Sequence, residues 1–222
     1  DNALVRNNRI GTNGTVGRDG IRIIGVSTAD GIAPATIVSN IVGDAGRYGI
    51  YAFNSAGTTL DANQVDNTGD TGIRITDSAN VEATGNLVGQ SGGANNIGTD
   101  GFLVTNSNGS QLLNNLISNT TSTGVDVGSG VHLVNSSDVV VSGNTIADTG
   151  WDSVKITSGS NNRVTNNTLL DAVRTGVYGK WTKDVVITGN DIRGSGLDGV
   201  DLVNNTGSSQ ALVQNNDIND VG

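Results

Sequence analysis

One asparagine recurs along this chain with apolar residues fixed on either side of it, and few folds accommodate that pattern. The positions are Asn8, Asn40, Asn63, Asn86, Asn115, Asn144, Asn167, Asn190 and Asn216, most often 23 residues apart. Three residues before each stands Val5, Ile37, Leu60, Ala83, Leu112, Val141, Val164, Ile187 or Val213. Two residues after each stands Ile10, Val42, Val65, Val88, Ile117, Ile146, Leu169, Ile192 or Ile218. All of these flanking positions are apolar in a chain that is only 35% hydrophobic. Self-similarity at such a period marks a solenoid, in which each repeat buries its apolar face against its neighbours.

A second anchor recurs once per repeat. It reads Gly-Ile-Arg-Ile at 20–23, Gly-Ile-Tyr-Ala at 49–52, Gly-Ile-Arg-Ile at 72–75 and Gly-Phe-Leu-Val at 101–104. It continues as Gly-Val-His-Leu at 130–133, Ser-Val-Lys-Ile at 153–156, Gly-Val-Tyr-Gly at 176–179 and Gly-Val-Asp-Leu at 199–202. Alternation with a period of two is that of a strand with one face buried. No helical period is present, and the density of Gly and Asn disfavours helices. Each repeat therefore holds three short strands. The prediction is an all-β, right-handed parallel β-helix of about nine three-strand coils, one domain over residues 1–222, with the Asn column stacked at one turn. Asn carries both a donor and an acceptor, so stacked copies about 4.8 Å apart can form a ladder.

The residues that do not belong to the core are unevenly placed. In the Gly-Val-x-Leu strand the x residue faces outward, giving a column of Arg22, Tyr51, Arg74, Leu103, His132, Lys155, Tyr178 and Asp201. The next outward column is Ile24, Phe53, Thr76, Thr105, Val134, Thr157, Lys180 and Val203. All seven aromatics lie on this strand row or beside it: Tyr48, Tyr51, Phe53, Phe102, Trp151, Tyr178 and Trp181, with Phe102 alone expected to point inward. Eight of the 12 basic residues lie there too: Arg18, Arg22, Arg47, Arg74, Lys155, Arg174, Lys180 and Lys183. The chain as a whole has a net charge of -9. Its positive charge and its rings thus share one side. Rings stack against the apolar faces of sugars, and Arg and Lys pair with carboxylates or sulfates. The expected partner is an acidic polysaccharide lying along Arg22, Tyr51, Arg74, Trp151, Lys155, Tyr178, Lys180 and Trp181. The alternative is that these bases offset acidic neighbours such as Asp19, Asp152 and Asp198.

His132, the only histidine, sits mid-column between Leu103 and Lys155. With Lys155 and Tyr178 it forms a candidate catalytic set for proton abstraction at a uronate C5, the lysine neutralising the carboxylate. The segments entering the strand row lengthen from the usual six residues to twelve at 89–100 and 118–129, and are expected to flank Leu103 and His132. A third long connection, 25–36, holds the only proline, Pro34.

Composition excludes other classes. The acidic balance gives no positive field for nucleic acid. With no Cys there is no disulfide framework and no thiolate chemistry. No apolar run approaches the roughly 20 residues of a membrane-spanning helix. No cofactor is implied; calcium at Asp pairs such as Asp66/Asp70 or Asp148/Asp152 is the one metal left open. Richness in Asp, Asn, Gly and Thr suits an extracellular or cell-surface protein.

These residues resemble the parallel β-helix repeat family of the pectin-lyase-like superfamily over nearly the whole chain. The stretch from Arg174 to Arg193, with Gly176-Val177-Tyr178-Gly179-Lys180, is similar to the late coils of the catalytic module of secreted mannuronan C5-epimerases. That resemblance implies an alginate groove lined by Lys180, and epimerase or lyase activity on a polyuronate. The family's catalytic Tyr-Gly-Phe-Asp-Pro-His sequence is missing. By coil count its place is taken by Thr71–Thr76, with Arg74 and Thr76 where Asp and His are expected.

Two functions remain open: a glycan-binding or glycan-modifying β-helix, and a non-catalytic structural solenoid of an adhesin, surface array, filament or tail protein. The first and last half-coils, Ala3-Leu4-Val5-Arg6-Asn7-Asn8 and Ala211-Leu212-Val213-Gln214-Asn215-Asn216, are nearly alike. The chain therefore reads as a segment of a longer helix or as a unit capable of end-to-end self-association.

Overall fold

A computed structural model describes residues 3–26, 33–89, 96–121, 124, 126–205 and 210–222. Parts of the insertions at 25–36, 89–100 and 118–129 lie outside the described residues. Strands of two to seven residues recur in threes, and every third strand joins the same sheet. The first sheet has nine strands, from Leu4–Arg6 to Leu212–Gln214. The second has nine, from Arg9–Ile10 to Asp217–Asn219, and the third has eight, from Ile21–Ile24 to Val200–Val203. All pairing is parallel and unslipped from coil to coil, as for Val131↔Val154 and Val154↔Val177. A one-residue slip would turn the apolar set outward, so burial enforces this register.

The core fills the space between the sheets with aliphatic side chains. Ile37, Leu60, Val88, Leu112, Ile117, Val141 and Ile187 are fully buried, as is Phe102. In the last coil the same inward columns are open: Val213 is 43% exposed and Ile218 39%. Tyr48 is also buried, so Phe102 is not the only ring removed from solvent. Tyr48 precedes the strand glycine, and its ring is covered on the outer face by Tyr51, Arg47 and Arg74.

The Asn column forms an unbroken ladder. The backbone N–H and the side-chain Nδ2 of each Asn both donate to Oδ1 of the next, from Asn8 to Asn216. From Asn40 onward, Nδ2 also donates to the carbonyl three residues before the preceding ladder Asn, as Asn144 does to Leu112. The residue just before each ladder Asn is left-handed, with φ between 50° and 68°. That turn carries the chain from the first sheet to the second, and Gly and Asn enter it at little cost. A serine ladder at the exit from the third sheet does the same for coils two to five: Ser55, Ser78 and Ser107 each donate a backbone N–H to the next serine hydroxyl.

Candidate functional site on the third sheet

The third sheet carries the outward column predicted from sequence. Its register runs Arg22↔Tyr51↔Arg74↔Leu103↔His132↔Lys155↔Tyr178↔Asp201, one residue per coil. The structure therefore brings Arg22, Tyr51, Arg74, His132, Lys155 and Tyr178 into one column with Lys180 in the next, while Trp151 and Trp181 lie beside it against Arg174 and Lys180. It does not leave them as one continuous line.

At the N-terminal end, rings and guanidinium groups interleave. Tyr48 and Tyr51 have centroids 5.2 Å apart, and Phe53 follows 6.0 Å from Tyr51. Arg22, Arg47 and Arg74 stand 5.9, 5.9 and 5.8 Å from the Tyr51 centroid. Arg74 also donates to the Tyr48 hydroxyl and to Thr76 Oγ1. Arg47 binds Asp19 through two hydrogen bonds of 2.8 and 2.7 Å. Burial pushes the Asp19 carboxyl up, but the Arg47 hydrogen bond and charge outweigh it and the net displacement is downward. A fixed carboxylate thus aligns Arg47 against the rings, while Arg74 makes no ion pair among the described residues.

In the centre, His132 is fixed by a residue that the sequence pattern did not single out. Asp100 is buried, and its Oδ1 accepts the backbone N–H groups of Gly128 and Ser129 at 3.1 and 2.8 Å. Its Oδ2 lies 3.2 Å from His132 Nδ1. In a neutral imidazole an acceptor there favours the proton on Nδ1, with Nε2, 3.4 Å from Thr157 Oγ1, as the free ring nitrogen. Asp100 ends the first long insertion and reaches the following coil. The insertions therefore bear on His132 and Lys155, one coil beyond the expected Leu103 and His132.

Lys155 departs most from expectation. It was predicted to stand in solvent, yet it is only 4% exposed. Its Nζ donates to the Asp126 carbonyl at 3.0 Å and pairs with the Asp126 carboxylate at 3.2 Å. Asp126 belongs to the second long insertion and lies over the sheet here. A strand pattern fixes which way a side chain points; it cannot say what a long loop places on top of it.

At the C-terminal end a second group of rings and cations assembles. Arg174 lies 4.6 Å from the Trp151 ring and 5.7 Å from that of Tyr178. Lys180 Nζ is 4.2 Å from the Trp181 ring, and Trp181 is 53% exposed. Burial, and next the Asp201 charge, hold the Tyr178 hydroxyl above its ordinary range. Asp152, fully buried beside this group, has its carboxyl pushed by burial up to about 6 against the pull of Arg174 and Lys155. Its Oδ1 accepts Thr175 N–H at 3.2 Å, whereas Asp152 Oδ2 and Trp151 Nε1 have no partner among the described residues.

Among the described residues, no group of three or more His, Cys, Asp and Glu is arranged to hold a metal. The Asp66/Asp70 and Asp148/Asp152 pairs have the following surroundings. Asp66 accepts from Gln64, Asp70 from Thr71 and Thr99, and Asp152 is buried away from the exposed Asp148. A cavity of about 590 Å³ lies elsewhere, between Val140, Arg163, Val186 and Leu212 on the first sheet. Its lining holds no ring and a single cation, Arg163, whereas rings and cations occur together on the third sheet. No helix among the described residues is long and apolar enough to cross a membrane.

Comparison with known proteins agrees with this architecture. The family described as right handed beta helix region matches residues 1–88 and 90–218. The chain belongs to the right-handed β-helix family. Among solved structures, this β-helix is similar to the A-module of the Azotobacter vinelandii mannuronan C-5 epimerase AlgE4, at 18% identity and a TM-score of 0.73, covering 85% of this chain and 54% of that one. It is similar to the periplasmic alginate epimerase AlgG, at 14% identity and a TM-score of 0.59, covering 93% of this chain and 60% of that one. It is also similar to the Dettilon tailspike protein, at 14% identity and a TM-score of 0.61, covering 87% of this chain and 46% of that one. The β-helix thus spans 46–60% of the length of these proteins. At such identities the likeness is one of fold. No match is found among curated proteins.

Proposed function

We propose that this β-helix binds a linear acidic polysaccharide along its third sheet, in an extracellular or cell-surface setting. The observation that carries the reading is the in-register column of rings and cations on one face of a chain whose net charge is -9. A solenoid sets such groups in a row, which suits an extended glycan. The solved structures of similar fold include alginate epimerases and a phage tailspike, so alginate is the first glycan to test.

Within this face, Asp100 and His132 form the candidate proton-transfer centre. His132 Nε2 is placed to remove the C5 proton of a uronate, leaving the electron pair on the carboxylate-stabilised carbon. Return of a proton to the opposite side gives the C5 epimer; loss of the C4 oxygen gives the unsaturated elimination product. Tyr178, two coils away, and Lys155, held by Asp126, stand in the same column. Asp100 acts as a positioning residue that sets the tautomer.

Binding of alginate, pectate, a sulfated glycan and a neutral glucan, each with and without calcium, tests the reading. The expected result is salt-sensitive binding of the anionic chains, weakened about tenfold by Arg74→Ala with Lys180→Ala, since each charge-assisted contact is worth about 1.5–3 kcal/mol before screening. Equal binding of the neutral glucan, unaffected by that double variant, overturns it. Product analysis of alginate and pectate then separates modification from binding: a C5 epimer or unsaturated end that disappears in His132→Ala assigns catalysis, and unaltered polymer assigns binding alone. A structural solenoid is the second reading. The open inward positions Val213 and Ile218 are what a further coil, from this chain or a second copy, would cover.

A further inference from the structure

The cations of the third sheet form two groups with a gap between them. Lys155, which would bridge them, is buried and paired with Asp126. Coils four to six therefore offer the outward columns Leu103, His132, Thr105, Val134 and Thr157, with no exposed Lys or Arg among them. On one side of the gap lie Tyr51 and Arg74; on the other lie Trp151, Arg174, Tyr178 and Lys180 with Trp181. From Tyr51 to Tyr178 the register advances five coils, about 24 Å at about 4.8 Å each.

The second group is built at a visible cost to the backbone. The position following the fourth strand residue of the third sheet is left-handed in every coil; in two coils it lies inside the longer strands Val154–Ser160 and Val177–Lys183. Its residues are Gly25, Asn54, Asp77, Asn106, Asn135, Ser158, Trp181 and Asn204, with φ from 48° to 69°. Seven of the eight are small or polar residues of the kind that this conformation accepts. Trp181, at φ 54°, is the exception, and a bulky side chain there is a true outlier. Its ring gains little from burial, being 53% exposed, and Lys180 Nζ lies 4.2 Å from it. A strained, exposed ring capped by a cation is a reason to look for a ligand.

We propose that the face grips an anionic polysaccharide at two separated points, so that tight binding requires a chain long enough to reach from the Tyr51/Arg74 group to the Trp181/Lys180 group. This rests on the polysaccharide reading of the third sheet and adds a length requirement to it. A pyranose ring in an extended chain advances by about one coil, so five coils correspond to about six rings. A shorter oligomer occupies one group or the other. A longer one occupies both, and its second contact is intramolecular, with the affinity gain that linked sites provide. The sugar over His132 is then held by its neighbours on both sides rather than by a cation of its own.

Oligouronates of two to ten rings, prepared from alginate and from pectate, test this by titration at fixed ionic strength. The expected result is weak, nearly constant affinity for short oligomers and a rise on the order of a hundredfold once both groups are spanned. Tyr51→Ala with Arg74→Ala should remove the rise and leave weak binding at the other end. Trp181→Asn should also remove it. Because Asn is the residue that neighbouring coils use at this position, that variant should melt no lower than the parent, which excludes unfolding as the cause. Polymer binding that grows evenly with each added ring, or a rise that survives Trp181→Asn, overturns the two-point grip while leaving the polysaccharide reading intact. Failure of both polymers and all oligomers to bind overturns both.

Discussion

Removing one internal rung of the Asn ladder tests the source of the fold's stability. In Asn144→Ala the Asn115 backbone N–H loses its partner at 2.8 Å and Asn115 Nδ2 loses its bond at 3.0 Å. Asn115 is 1% exposed, so water cannot replace the lost acceptor. The Leu112 carbonyl loses the Asn144 donor at 2.9 Å, and Asn167 Oδ1 loses one of its two donors. An orphaned buried donor costs about 1–3 kcal/mol, and each further lost bond about 1 kcal/mol. The expected destabilisation is about 3–5 kcal/mol. Asn8→Ala is the control: Asn8 is exposed and donates from Nδ2 to Arg6 O and Asn40 Oδ1 at one end of the ladder, so its loss should cost less than about 1 kcal/mol. Chemical denaturation of the three proteins gives the difference. Solenoids couple mainly through nearest neighbours, so amide exchange at Asn115 supplies a local measure: its protection should fall before that of distant coils. Equal stability of the two variants, or an unchanged Asn115 amide in Asn144→Ala, would refute the ladder as a source of stability.

Other outcomes follow from the same geometry. Val141→Asp or Ile187→Asp places an unpaired charge among fully buried side chains and should abolish the cooperative transition, since such charges cost several kcal/mol; circular dichroism checks it. Asp152 has a folded-state value of about 6 against 3.8, so the folded form holds its proton more tightly. Its contribution is therefore fully present below about pH 4 and is lost as pH rises toward 6. Asp152→Asn should remove a pH-dependent loss of about 3 kcal/mol between those limits, and a parallel pair of stability-versus-pH curves would contradict this. Trp181→Asn should gain about 1 kcal/mol by relieving the left-handed strain, measured by denaturation.

The sequence by itself determined the solenoid, its register and its ladder. Each depends on a short-range rule repeated at every coil: the period of two sends Val141 and Ile187 inward, and the two-sided chemistry of Asn suits stacking. Repetition lets nine weak local signals reinforce one another. The sequence also determined which face collects the rings, because alternation fixes the side from which Arg74 and Tyr178 emerge. The serine ladder and the odd Trp181 were equally present as columns once the coils are aligned. Only the tertiary structure decided what lies over that face. Asp100 reaches His132 across 32 positions, and Asp126 covers Lys155 across 29. Both come from insertions that break the repeat, where no periodic rule assigns a direction. Burial of Lys155 then turns one predicted line of cations into two groups. The columns follow from local stereochemistry, whereas the gap between the groups follows from where two irregular segments come to rest.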